Sequence, residues 1–172
     1  MALLPIVMHP DPRLREKCKR VGNLDPKLQR LVDDMLETMD DAKGVGLAAP
    51  QVGVPLRITV IQLPEDYDDP RAGKPIVLCN PEIVKSSGEW EPDEGCLSVP
   101  GYYAPVKRAW TVTVKARDRK GAEFRVKGDG LLGQALQHEI DHLNGILFLD
   151  HLESLDQLRK VERDEEKEVA TA

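Results

Sequence analysis

Cysteine is scarce. Cys18, Cys79 and Cys96 are the whole complement, and their wide separation offers no disulfide framework. Thiols used this way suit a reducing compartment, where they pack as small apolar groups or bind metal. Apolar runs of about twenty residues, the length a membrane helix needs, are missing as well. The opening MALLPIVMHPDPRLREK has no basic segment ahead of its short apolar run, which Pro5 breaks. Export and membrane insertion are therefore not expected; the expected location is the cytoplasm or an organelle of bacterial ancestry. Basic charge is short too: 24 Lys and Arg against 30 Asp and Glu leave a net charge of −6, which argues against DNA as a partner.

What is present is ordinary for a globular protein: 172 residues, 41% hydrophobic and 31% charged. That length predicts one domain, 1–172, with its core in 1–150 and a C-terminal helix and tail in 151–172. A turn and short helix are expected over 10–17. Asp25 and Pro26 then open a helix carrying Leu28, Leu31, Val32, Met35, Leu36 and Met39 on one face, ending near Lys43 with Gly44 as its stop. Strands are predicted at 57–63, 75–78 and 83–85, the last two divided by Asn80-Pro81, and a hairpin pairs 110–117 with 122–127. The acidic 64–73 segment reads as a surface loop, and 158–169 as a charged, solvated helix. The fold class expected is α+β, with short, mostly antiparallel strands packed around one central helix.

That helix is LLGQALQHEIDHLNG, residues 131–145, whose Leu131, Leu132, Ala135, Leu136, Ile140 and Leu143 recur at helical spacing. It holds two of only four histidines. His138 and His142 lie one turn apart on the same face, so both imidazoles can bind one metal ion. Glu139, about 100° further round, reaches the edge of such a site without having to ligate, and is free to take a proton from water activated there. A catalytic site needs a third ligand. In one protease pattern a glycine three residues after the second histidine is followed, three further on, by a third histidine. Gly145 fits, but the next position is Phe148, which cannot bind metal, and His151 is out of register. Cys96, between Glu94 and Ser98, is the better candidate. A zinc endopeptidase, or a closed structural zinc site adding Cys79 or Cys18, stays open at this point.

Three segments carry a family resemblance. GVGLAAPQ (44–51), EGCLS (94–98) and QHEIDH (137–142), in this order, resemble the signature motifs of peptide deformylase, and the likeness extends over about 3–155. The resemblance implies a hydrolase that removes the formyl group from N-formylmethionyl nascent peptides. It implies that Cys96, His138 and His142 bind one divalent metal, Fe2+ in the family's native enzyme, although the same ligands suit Zn2+, Ni2+ or Co2+. Glu139 would be the general base and acid, with Gln51 and the backbone N–H of Leu97 as oxyanion donors. Gly46 and Gly95 would lie against the substrate, Val45, Leu131 and Ala135 would wall the methionine pocket, and Glu94 would support the site from behind. His9 and His151 read as surface or capping histidines. Some family members approach the translating ribosome through a basic C-terminal helix; here the last segment is mixed in charge and acidic at its end, which disfavours docking by that element.

Overall fold

The computed structural model describes residues 2–160. A 3-10 turn at Pro12–Arg15 precedes helix α1 (Pro26–Asp41), followed by strands β1 (Gly46–Ala48), β2 (Ile58–Ile61) and β3 (Ile76–Ser87). Strands β4 (Asp93–Cys96), β5 (Val99–Pro105), β6 (Thr111–Arg117) and β7 (Glu123–Asp129) lead into helix α2 (Gly130–Leu143). 3-10 turns at Phe148–His151 and Leu155–Gln157 and strand β8 (Arg159–Lys160) complete the described chain. The strands form a five-stranded sheet, β1-β2-β3-β6-β7, and a three-stranded one, β4-β5-β8, with every pairing antiparallel. The α+β architecture expected from the sequence is the one observed.

The large sheet is covered on both faces, which is why β2 is buried at all four positions. One face presents Ile61, Leu78, Val112, Val114 and Val126 to Leu132, Ala135, Leu136 and Ile140 of α2. The other presents Ile58, Val60 and Cys79 to Val32, Met35 and Met39 of α1. Asp25 caps α1 by accepting a hydrogen bond from Leu28 N at 3.0 Å, and Pro26 supplies the preset first residue. Helix α2 is thus held by packing along its length, and its motif side chains inherit a fixed orientation.

Several local expectations are corrected. Helix α1 ends at Asp41, and the left-handed residue that closes it is Lys43 (φ 57°), one before Gly44. Gly44 is needed for a different reason: a Cβ there would lie 2.7 Å from Leu97 Cδ1. The two short strands expected around Asn80-Pro81 are one strand, β3. Asn80, at φ 53°, forms an irregularity that absorbs the proline, while its side chain bonds both backbone groups of Val21, at 2.7 and 2.8 Å. The EGCLS segment, for which no element was predicted, lies in the β4–β5 hairpin. The charged C-terminal helix falls almost wholly outside the described residues; Arg159–Lys160, where it was expected to begin, are strand and pair with Tyr102 and Tyr103.

Gly145 ends α2 at φ 75°, and a Cβ on it would run into the backbone carbonyl of Arg15. Left-handed strain and backbone overlap add, so Gly145→Ala is expected to cost more than about 2 kcal/mol in denaturant unfolding. An unchanged midpoint would contradict this account of the turn.

Candidate metal centre and active site

One helical turn of α2 brings His138 Nε2 and His142 Nε2 to 3.0 Å, and the end of β4 places Cys96 Sγ 3.4 Å from His142 Nε2. All three ligand atoms lie within 4.8 Å of one another, and all three residues are buried. Three donors converging this closely in the interior, with little else to bond, suit a divalent ion of the borderline-soft class. His142 turns Nε2 to the other two ligand atoms, while its other ring nitrogen, Nδ1, is buried with no hydrogen-bond partner among the described residues. Burial, reinforced by charge on the nearby His138, pushes His142 well below the usual histidine value, while Glu94 outweighs burial and holds His138 well above it, so His142 is the neutral ring of the metal-free pair.

The far side of His138 is fixed by charge. His138 Nδ1 donates to Glu94 Oε2 at 2.7 Å, which leaves Nε2 facing the site. Arg108 grips the same carboxylate twice, Nε to Oε1 at 2.9 Å and Nη2 to Oε2 at 2.5 Å, and extends Nη1 to Asp141 Oδ2 at 2.8 Å. Gln134 Nε2 lies 3.4 Å from Glu94 Oε1. Burial alone would raise the Glu94 pKa, but His138 and Arg108 outweigh it and hold the carboxyl well below its usual range.

Glu139 is in the opposite condition. It is fully buried, neither carboxylate oxygen has a partner among the described residues, and burial pushes its pKa up to about 7. Gly46 of β1 lies against it: a Cβ there would sit 2.6 Å from Glu139 Oε2. Gln51, also fully buried, accepts from Ala48 N at 2.9 Å and points Nε2 at Ser98 Oγ (3.1 Å) and Cys96 Sγ (3.6 Å). Leu97 follows Cys96 directly and lies over Gly44. β1 and β4 are each the edge strand of their sheet, so main chain on two sides of the site has an unpaired edge.

The sequence pattern of the polypeptide deformylase family matches residues 3–158. A peptide deformylase of Dehalococcoides mccartyi is 50% identical over 166 residues, 96% of both chains, and one of Thermomicrobium roseum is 50% identical over 173 residues, 100% of this chain and 98% of its own. The chain belongs to the polypeptide deformylase family. Among solved deformylases, that of Legionella pneumophila superposes with a TM-score of 0.84 at 54% identity, covering 91% of this chain and 89% of its own. The Ehrlichia chaffeensis deformylase in complex with actinonin gives 0.86 at 43% identity, covering 91% and 92%.

Within this deformylase, Cys96, His138, His142, Glu139, Gln51, Glu94 and Gly46, singled out in the sequence, come together around one point. Gly95 has a packing reason: a Cβ on it would enter the ring of Tyr103. Val45 and Ala135 belong to the α2 core cluster, with half-buried Leu131 packed on it. Cys79 packs with the α1 cluster, and Cys18 with Ala48 and Leu143; neither stands in the metal-capable group. Phe148, at the position a third protease histidine would occupy, is buried in one cluster with Cys96. Sequence reasoning missed Arg108, Asp141, Gln134 and Ser98. Two of them had a local signal, Ser98 as the last residue of EGCLS and Asp141 inside QHEIDH; Arg108 lies outside all three motifs. No helix among the described residues is long and apolar enough to cross a membrane.

Proposed function

We propose that Cys96, His138 and His142 hold one divalent metal ion, ferrous iron in the native enzyme, and that Glu139 moves the protons of the reaction. The deformylase reaction is hydrolysis of the N-formyl group of a new polypeptide, releasing formate. Bound by these three residues, a divalent metal would lower the pKa of water into the neutral range and would polarise the formyl carbonyl. Glu139, which burial already brings to about 7, accepts a proton from the attacking water and returns it to the departing amine nitrogen. Gln51 Nε2 and the Leu97 N–H donate to the oxyanion of the tetrahedral intermediate, each stabilising it by about 3 kcal/mol on the precedent of other acyl-transfer sites. Val45, Leu131 and Ala135 enclose the methionine side chain, and the edges of β1 and β4 receive the peptide main chain as an added strand, with Gly46 and Gly95 lying against it. Glu94 keeps the Nδ1 proton of His138 in place. Cytoplasmic action on nascent chains completes this reading.

The observation that carries it is the buried carboxylate of Glu139 without a partner beside three converging ligand atoms. Protein reconstituted anaerobically with iron or nickel is expected to release formate from a formyl-methionyl tripeptide and to leave the unformylated peptide intact. Absence of formate, or cleavage of internal peptide bonds instead, would refute the assignment.

A further inference from the structure

We infer that His151 is a positioning residue for the metal centre, acting through Asp141 and Arg108 on the Glu94 carboxylate that orients His138. His151 Nε2 lies 2.8 Å from Asp141 Oδ2, the same oxygen that receives Arg108 Nη1 at 2.8 Å. From Arg108 the chain of bonds continues to Glu94 and then to His138 Nδ1. Since a carboxylate only accepts, the His151 ring donates its Nε2 proton.

An exposed histidine–carboxylate pair is ordinarily worth little. This one differs in what stands behind it. The Asp141 side chain is 19% exposed, and its partner Arg108 is only 4% exposed. One buried guanidinium thus faces two carboxylates, Glu94 and Asp141, and its plane is set by both. A second donor on the shared Asp141 oxygen limits the carboxylate to the rotamer that meets Arg108. His151 itself rides on a fixed element: its 3-10 turn is anchored by buried Phe148, and Asp150 accepts from Leu147 N at 3.0 Å and pairs with Arg15. Partners bonded directly to a ligating histidine change metal affinity by about 10- to 100-fold when removed. Acting three bonds further out, His151 is expected to contribute about 3- to 10-fold, on the same scale reduced for distance.

The inference rests on Cys96, His138 and His142 being the metal ligands, and the test separates the two. Cobalt(II) is titrated into the metal-free full-length chain and its visible absorption bands are followed, for wild type, His151→Leu, His151→Gln, Asp141→Asn and the double variant His151→Leu/Asp141→Asn. Leucine keeps bulk without a donor, while the glutamine amide can replace the Nε2 donor. The expected result is weaker cobalt binding and shifted bands in His151→Leu, recovery in His151→Gln, and no further loss when His151→Leu is added to Asp141→Asn. KM for a formyl-methionyl peptide should stay near the wild-type value, since neither His151, Asp141 nor Arg108 is among the residues assigned to the substrate. Failure of wild type to bind cobalt would overturn the ligand assignment and this inference with it. Normal binding in wild type, with His151→Leu indistinguishable from it or with losses that add in the double variant, would overturn the role of His151 alone.

Discussion

Glu139→Gln is expected to lower kcat on a formyl-methionyl peptide by on the order of 10³- to 10⁴-fold while the protein keeps its full metal content. The amide matches the carboxylate in volume, so the contact with Gly46 is retained, but it can neither take nor return a proton. Its effect on the metal-free protein should run the other way. Burial raises the Glu139 pKa from 4.5 to about 7 in the folded state. Below the unfolded value both states hold the proton and the site costs nothing. As pH rises from there to the folded value, the unfolded chain releases the proton and the folded chain retains it, so stability falls with pH until the loss is complete above about 7. One pKa unit is about 1.4 kcal/mol, which puts the loss at about 3 kcal/mol. Metal-free Glu139→Gln should therefore unfold at higher denaturant than metal-free wild type at pH 8 and match it near pH 4. A variant that is fully active, or that shows no pH-dependent gain in stability, would remove Glu139 from the role assigned to it.

Glu139 could be singled out from sequence because its neighbours are local. The 3.6-residue period of Leu132, Ala135, Leu136 and Leu143 announces α2, and two histidines at i and i+4 fall on one face of any such helix. Cys96 was legible through its flanking residues, and the β6–β7 hairpin through the turn at 118–121. Where the decisive contact is distant in sequence, local pattern is silent. Arg108 sits in an unremarkable VKRAW run, yet its partners are 14 residues upstream and 33 downstream. The continuity of β3 was hidden by Pro81, whose missing N–H argues for a break. The irregularity at Asn80 resolves this, stabilised by bonds to Val21, 59 residues away. Lys43 in the left-handed region, with Gly44 beside it, shows the same limit: the glycine answers to Leu97, 53 positions along the chain, rather than to the helix it follows.

Arg108→Leu should be the most damaging change outside the ligands and Glu139. The Arg108 and Glu94 side chains are 4% and 2% exposed, so removing the guanidinium leaves a carboxylate in the interior with, among the described residues, the His138 ring and the Gln134 amide to face it. Breaking one side of a buried pair typically costs about 3–5 kcal/mol, because the stranded charge keeps its full desolvation penalty. With its guanidinium partner gone, Glu94 also moves toward protonation. A protonated Glu94 holds the His138 Nδ1–H less firmly, and metal affinity should fall by about 10- to 100-fold. Adding Glu94→Gln separates the two effects. The amide removes the stranded charge, so much of the folding stability should return; its oxygen accepts from Nδ1–H more weakly than a carboxylate, so metal affinity should not. Chemical denaturation of the metal-free variants together with metal titration reads both quantities. Arg108→Leu within about 1 kcal/mol of wild type would mean that the Glu94 charge is compensated elsewhere. Affinity restored along with stability in the double variant would mean that His138 needs a neutral acceptor behind it rather than an anionic one.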